Sequence, residues 1–164
     1  MHITSSSQTM WHLLLSQPMA ILGPYKEGPP SLSSFAPHAV RIENDRIVVA
    51  GQFLELPISP PESWFYGDRI RAYAVFDLVE TRHIEVKGSP PLGLEDDSLH
   101  GVPVGQPATC SLIELSETFL EIPGTHKQIK WRKFHIASDQ FSLQVEAGCV
   151  ALYCGRQAPR QYWG

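Results

Sequence analysis

The stretch FSLQVEA, residues 141–147, contributes most to the fold prediction. Its apolar residues Phe141, Leu143, Val145 and Ala147 alternate with polar residues. Successive side chains of a β-strand point to opposite faces, so this alternation predicts a strand with one apolar face. The run that follows, CVALYC at residues 149–154, is almost entirely apolar and predicts a continuation of the strand that is buried on both faces.

A second alternating run, RIRAYAVFDLV at residues 69–79, predicts another long strand. Its apolar members share one face at a period of two: Ile70, Ala72, Ala74, Phe76 and Leu78. The opposite face carries Arg71, Tyr73 and Asp77, and we expect that face to be solvated, as in many antiparallel sheets. Ile84 and Val86 continue the pattern and either extend this strand or pair with it.

A β-hairpin is predicted around Asn44-Asp45, because both residue types tolerate the positive φ of a two-residue turn. Val40 and Ile42 alternate before the turn. After it, apolar residues occupy both faces of the returning strand, which favours a central place in the sheet.

Two short helices are predicted. In CSLIELSETFLEIPG, residues 110–124, apolar residues recur at helical spacing, and Ser111 with Glu114 has the pattern of a capping box. Residues 10–15 (MWHLLL) predict a second helix that ends before Pro18. The segment 127–137 is interpreted as a strand.

These elements predict a single, mainly β domain over residues 1–164, since this length is typical of one domain. The expected architecture is an antiparallel sheet or sandwich of about six to eight strands with one or two short helices. We divide the chain into an N-terminal segment with a Pro/Gly-rich loop (1–37), a β-rich core (38–155) and a C-terminal tail (156–164).

The charge of the chain argues against nucleic acid as the main partner. The formal net charge is −4, and only 18% of the residues are charged. Nucleic-acid binding depends on clustered Lys and Arg. The densest basic cluster is Lys127, Lys130, Arg132 and Lys133, so such binding is unlikely but possible there.

The cysteines and the N-terminus indicate a reducing, cytoplasmic location. Cys110, Cys149 and Cys154 are too few and odd in number for a disulfide scaffold. The apolar run near the N-terminus lacks a basic start and contains Gln17-Pro18, so we do not interpret it as a signal peptide. No stretch is long and apolar enough for a transmembrane helix.

Motifs of catalysis are absent from the sequence, and we predict no cofactor and no metal. Cys149 and Cys154 stand five residues apart, which places their side chains on opposite faces of a strand and disfavours shared zinc ligation. The acidic loop around Asp96, Asp97 and His100 is interpreted as a solvated connector. A catalytic triad need not be local in sequence, so an enzyme is not excluded.

The stretch WFYG, residues 64–67, is the best candidate for a contact with a partner. Consecutive strand residues point to opposite sides, so we expect Phe65 to face inward, with Trp64 and Tyr66 partly exposed. Trp and Tyr are enriched at protein interfaces. The candidate interaction residues are Trp64, Tyr66, Trp11, Leu14, Tyr162 and Trp163.

Three functions remain open at this stage. The preferred hypothesis is a non-catalytic interaction or assembly protein that binds itself or another protein. One form of it is a self-associating structural subunit of a virus matrix-like or capsid-like layer. The first alternative is a β-barrel enzyme or small-ligand binder, which a pocket holding His83, His126 or His135 with a carboxylate would favour. The second is a small acidic inhibitor or immunity-type protein, which a contiguous acidic face would favour.

Overall fold

The computed structural model describes residues 10–66, 69–91, 106–115 and 130–155, with Tyr66 and Arg69 described in their backbone only. The strands are β1 Phe35–Ile42, β2 Arg46–Phe53, β3 Phe65–Tyr66, β4 Arg69–Ile70, β5 Ala72–Gly88, β6 Thr109–Glu114, β7 Arg132–Ala137 and β8 Phe141–Cys154. Six of them form one antiparallel sheet in the order β1-β2-β5-β8-β7-β6, and β3 pairs with β4. The mainly β prediction is therefore confirmed.

Helical structure in the described residues is confined to single turns. An α-helical turn spans Met19–Leu22, and 3₁₀ turns span Trp11–Leu14, Leu32–Ser34 and Glu62–Trp64. The predicted N-terminal helix is thus a 3₁₀ turn, a form that occurs in short pieces.

The central pair of the sheet is β5 with β8, the two longest strands. The alternation in residues 141–147 is confirmed, because Phe141, Leu143, Val145 and Ala147 are all buried. The next part of β8 differs from the expectation of burial on both faces. Val150 and Leu152 are buried, whereas residues 149, 151, 153 and 154 are only partly buried.

The predicted hairpin is confirmed. Ile42 pairs with Ile47, and the Glu43 N–H donates a hydrogen bond to the Arg46 carbonyl at 2.8 Å, which encloses Asn44-Asp45 in the turn. β2 lies between β1 and β5, as its two apolar faces predict. Ile47 and Val49 join the main core on one face. On the other face, Val48 packs in a smaller apolar cluster.

The second face of β5 is not solvated, so that expectation is wrong. Arg71, Tyr73 and Asp77 are each no more than 4% exposed. On this face Val75 packs with Val48 and Ala50, which gives the sheet a second apolar cluster. Asp77 is covered because it has a strong partner in Arg46 of the neighbouring strand β2. Its carboxylate accepts hydrogen bonds from the Arg46 guanidinium at 2.8 and 2.6 Å.

The predicted helix at residues 110–124 is wrong in its first part. Residues 109–114 form strand β6, and residues 116–124 lie outside the described residues. In β6, Cys110 and Leu112 both face the core and pair with Ile136 and Phe134 of β7. The burial of this alternating pair outweighs the helical capping pattern of Ser111 and Glu114, because tertiary contacts override weak local propensity.

The sheet curls so that its two edge strands approach each other. Although β1 and β6 lie at opposite edges, the N–H of Ala108 donates a hydrogen bond to the Phe35 carbonyl at 3.0 Å. The curled sheet encloses the main core. Trp11 enters this core from the N-terminal segment and is fully buried, with its ring centroid 6.1 Å from that of Phe53 and 6.0 Å from that of Phe76.

Candidate functional site

The orientation of the WFYG stretch is the reverse of the prediction. Trp64 is buried, with 4% of its surface exposed, while Phe65 is 43% exposed. Trp64 ends a 3₁₀ turn, and its ring lies 5.8 Å from that of Tyr25. The strand begins only at Phe65, so the alternation that we assumed for residues 64–66 does not apply to Trp64. The side chain of Trp64 faces inward from the 3₁₀ turn instead. The expected exposure of Trp64 is wrong, and its role in a contact stays a prediction.

Tyr25 connects the two loops beside Trp64. Its hydroxyl donates a 2.7 Å hydrogen bond to the Glu55 carbonyl, and the Glu55 carboxylate accepts one from the Ser31 N–H at 2.6 Å. Burial, followed by electrostatic interaction with Cys154 and Glu55, raises the pKa of Tyr25 far above its ordinary value. The phenol therefore stays neutral and is a fixed donor to the Glu55 carbonyl.

A groove of about 230 Å³ borders this tyrosine and runs between residues 25–29 and 55–58. Its lining includes the charged residues Lys26, Glu27 and Glu55 as well as apolar ones. At its margin Ile58 is 79% exposed and Leu56 is 41% exposed, and Phe65, the residue after Trp64, is also exposed. We call Leu56, Ile58, Phe65 and this groove the proline-loop surface, since Pro57, Pro60 and Pro61 fix the backbone here.

The N-terminal segment presents a second apolar surface. Trp11 faces the core, and Leu14 is partly buried against it. The opposite side exposes Met10 and Leu13, which are three residues apart and therefore stacked in a 3₁₀ turn. Met19, at the start of the α-helical turn, is also exposed. We call Met10, Leu13 and Met19 the N-terminal surface.

A histidine and a carboxylate do meet on the sheet, but not in a pocket. His83 Nδ1 lies 2.9 Å from Glu146 Oε2, and Arg82 forms a 2.9 Å ion pair with the same carboxylate. Burial acts to raise the pKa of Glu146, but the hydrogen bonds and charges of His83 and Arg82 outweigh it and hold this pKa below its usual value. The His83 side chain is 68% exposed, and the Arg82 guanidinium stacks 3.8 Å from the Trp131 ring.

The other two histidines add no support for an enzyme. His135 lines a shallow hollow of about 250 Å³. The other described residues that line it are Ser111, Ile113, Lys133 and Gln144, and none of these is a carboxylate. His126 lies outside the described residues, as do Asp96, Asp97 and His100. Within the described part of the chain, no group of three or more His, Cys, Asp or Glu side chains could hold a metal ion.

The three cysteines are free thiols. Cys154 packs against the main core, whereas Cys149 pairs with Val79 and lies on the opposite face, as the spacing predicted. Burial raises the pKa of Cys154 to about 12 and raises that of Cys110 further. Both are protonated at neutral pH, and so neither is a ready nucleophile or metal ligand.

The described residues of the predicted basic cluster each have a different local environment. Lys130 forms an ion pair with Glu114 at 2.9 Å, and Arg132 donates hydrogen bonds to the carbonyls of Lys130 and Gly148. Lys133 lies at the hollow beside His135. Lys127 is outside the described residues. This arrangement gives nucleic-acid binding no added support.

A polar cluster beneath the second face of the sheet escaped the sequence analysis. Arg71, Gln52 and His38 form a chain of contacts there: Arg71 Nη1 lies 3.4 Å from Gln52 Oε1, and Gln52 Nε2 lies 2.8 Å from His38 Nε2. A signal was present in the sequence, because an arginine within a strand of apolar neighbours must find either solvent or a polar partner. The sequence does not say which.

Tyr162 and Trp163 lie outside the described residues, and so does the side chain of Tyr66. Their proposed part in a contact stays a prediction. The described residues contain no helix with the length and apolar character that crossing a membrane requires. No family model, curated protein or solved structure gave a significant match to this chain.

Proposed function

We propose that this protein is a non-catalytic interaction protein that associates with further copies of itself through the proline-loop surface. The observation that carries the proposal is the exposure of Ile58, at 79%, beside Leu56 and the groove at Tyr25. Single exposed apolar residues are common, but contiguous apolar surfaces next to a groove are typical of interaction sites.

The rigidity of this surface favours binding. Pro57, Pro60 and Pro61 restrict the backbone, and the two hydrogen bonds at Glu55 tie the loop to Tyr25 and Ser31. A loop that is ordered before binding loses less conformational entropy when a partner arrives.

A second copy of the chain is the partner that we favour, because the molecule presents two different apolar surfaces. Met side chains, as in the N-terminal surface, adapt readily to a facing groove. Contact between unlike surfaces is head-to-tail and can repeat from one copy to the next. Such repetition would build the layer expected of a matrix-like or capsid-like subunit. The free thiols support a reducing compartment such as the cytoplasm.

The first test is the effect of Ile58→Asp on self-association, measured by sedimentation velocity over a concentration series. A charge at the centre of an apolar contact should weaken association at least about tenfold, the loss typical of a hot-spot residue. Ile42→Asp is the matched control, because Ile42 is also exposed, at 46%, but lies in the β1–β2 hairpin. A wild-type protein that stays monomeric at high micromolar concentration would contradict the proposal, as would equal losses in both variants.

A further inference from the structure

Arg71 is a buried cation immediately before β5. Its N–H donates a 2.9 Å hydrogen bond to the Trp64 carbonyl, which fixes the backbone next to the proline-loop surface. Its side chain lies on the second face of the sheet, with 4% of the residue exposed. Burying a guanidinium removes it from water, and this is costly unless an anion or several acceptors replace the water.

No carboxylate of the described residues pairs with Arg71. Its one side-chain partner there is the neutral amide of Gln52, at a long 3.4 Å. Other arginines of the same sheet have close anionic partners: Arg46 binds Asp77 at 2.6 Å, and Arg82 binds Glu146 at 2.9 Å. A guanidinium has five N–H donors, so most of the hydrogen-bonding capacity of Arg71 is unused by these residues.

The hydrogen bonds among Arg71, Gln52 and His38 fix which atoms of the cluster donate and which accept. Gln52 Oε1 accepts from Arg71, so its amide nitrogen donates to His38 Nε2. Burial, and then the charge of Arg71, lowers the pKa of His38, so the ring is neutral at neutral pH. With Nε2 accepting, the proton of the neutral ring is on Nδ1. His38 and Arg71 therefore both offer N–H donors, and no acidic acceptor faces them from the described residues.

The cluster remains in contact with solvent. His38 is only partly buried; it is the extra residue of a β-bulge in β1, between the paired residues Pro37 and Ala39. Bulges redirect side chains and are frequent near binding sites.

We propose that Arg71, Gln52 and His38 form a binding site for an oxyanion, the carboxylate or phosphate group of a small ligand. Arg71 supplies the charge and paired N–H donors that match the geometry of such groups. His38 adds a neutral donor. Gln52 contacts both Arg71 and His38 and so fixes their positions relative to each other. The site is separate from the self-association surface, because its side chains lie on the second face of the sheet.

The test is a titration of the full chain with inorganic phosphate and, separately, with acetate, each compared with sodium chloride of equal ionic strength. A saturable rise in Tm with either anion is expected, since a ligand that binds only the folded state stabilises it. The anion that gives the larger rise identifies the ligand group. Arg71→Gln should lower the apparent affinity at least about tenfold, because an uncharged amide replaces the guanidinium.

A second variant keeps the test decisive if Arg71→Gln does not fold. Gln52→Glu places a carboxylate where the Gln52 amide now faces Arg71, and so provides the missing counterion within the chain. This variant should have a higher Tm than the wild type without added anion, and it should lose the saturable response. The NMR ring resonances of His38 should report a raised pKa in this variant and in the phosphate-bound wild type.

Arg82→Gln is the matched control, since it removes the same charge from an arginine that already has a carboxylate partner. Its response to phosphate or acetate should equal that of the wild type. Equal Tm rises in the wild type, Gln52→Glu and Arg82→Gln would show a general salt effect and overturn the proposal. A wild-type Tm that follows ionic strength alone would overturn it as well.

Discussion

Asp77 and Arg71 are buried to the same extent on the same face of the sheet, yet their electrostatic situations differ. Asp77 is held by a bidentate contact from Arg46, and this pairing offsets the loss of hydration. Among the described residues, the Arg71 side chain has only a long contact with an amide. Burial alone therefore does not distinguish a structural charge from a binding residue in this protein; the counterion does.

At this scale we predict a pH dependence that originates at His38. Its pKa is lowered in the folded protein, first by burial and then by Arg71, relative to about 6.5 in the unfolded chain. As the pH falls below that value, the unfolded chain takes up a proton that the folded protein resists, so the free energy of unfolding decreases. His38→Gln should reduce this decrease. Urea unfolding between about pH 7 and pH 5 measures it, and identical slopes for both proteins would contradict it.

Among the elements, the N-terminal 3₁₀ turn depends most on its tertiary contacts. Four residues of 3₁₀ helix are too few to be stable alone. Trp11 provides the contact that holds the turn: its indole N–H donates a 3.0 Å hydrogen bond to the Pro30 carbonyl, and its ring packs on Phe53 and Phe76. The segment before the sheet is thus part of the core.

We predict that Trp11→Ala lowers the free energy of unfolding by about 3–5 kcal/mol, the range for a large aromatic side chain removed from a core. Leu13→Ala in the same turn should change it by no more than about 0.5 kcal/mol, because Leu13 is 55% exposed. Chemical denaturation of both variants measures the difference. Similar values for the two would show that Trp11 does not contribute to the core in solution.

At the scale of the whole molecule, the side chains that stabilise the fold are different from those that we propose to contact a partner. The main core, enclosed by the sheet and closed by Trp11, accounts for stability. The proline-loop surface and the N-terminal surface leave large apolar side chains outside that core. Because these side chains are not needed to fill the interior, they are available for contact between copies.

The proposed association should therefore have the thermodynamics of apolar burial. We expect a negative heat capacity change on association, since removal of apolar surface from water produces one. Raising the salt concentration should not weaken association, because the exposed side chains that we propose to make the contact, Leu56, Ile58 and Phe65, are apolar. Calorimetric dilution at several temperatures, repeated at high salt, measures both quantities. A loss of association at high salt would instead indicate a contact between charged groups.

The sequence by itself determined the mainly β fold and much of the sheet. Alternation in residues 70–78 and 141–147 predicted which side chains form the core, and Asn44-Asp45 predicted the hairpin. These features are local: a period of two can bury one face only as a strand, and a two-residue turn fixes the register of its neighbours.

Tertiary structure alone decided the remainder. Residues 110–114 carry a helical capping pattern, but pairing with β7 makes them a strand. Trp64 is buried and Phe65 is exposed, the reverse of the prediction, because a 3₁₀ turn ends at Trp64 and the Tyr25 ring lies beside it. Arg71 was expected to be solvated, and its burial next to Gln52 and His38 depends on the pairing of β5 with the β1–β2 hairpin. In each case the energy of packing between remote segments exceeds the local preference, and no single stretch of sequence contains that information.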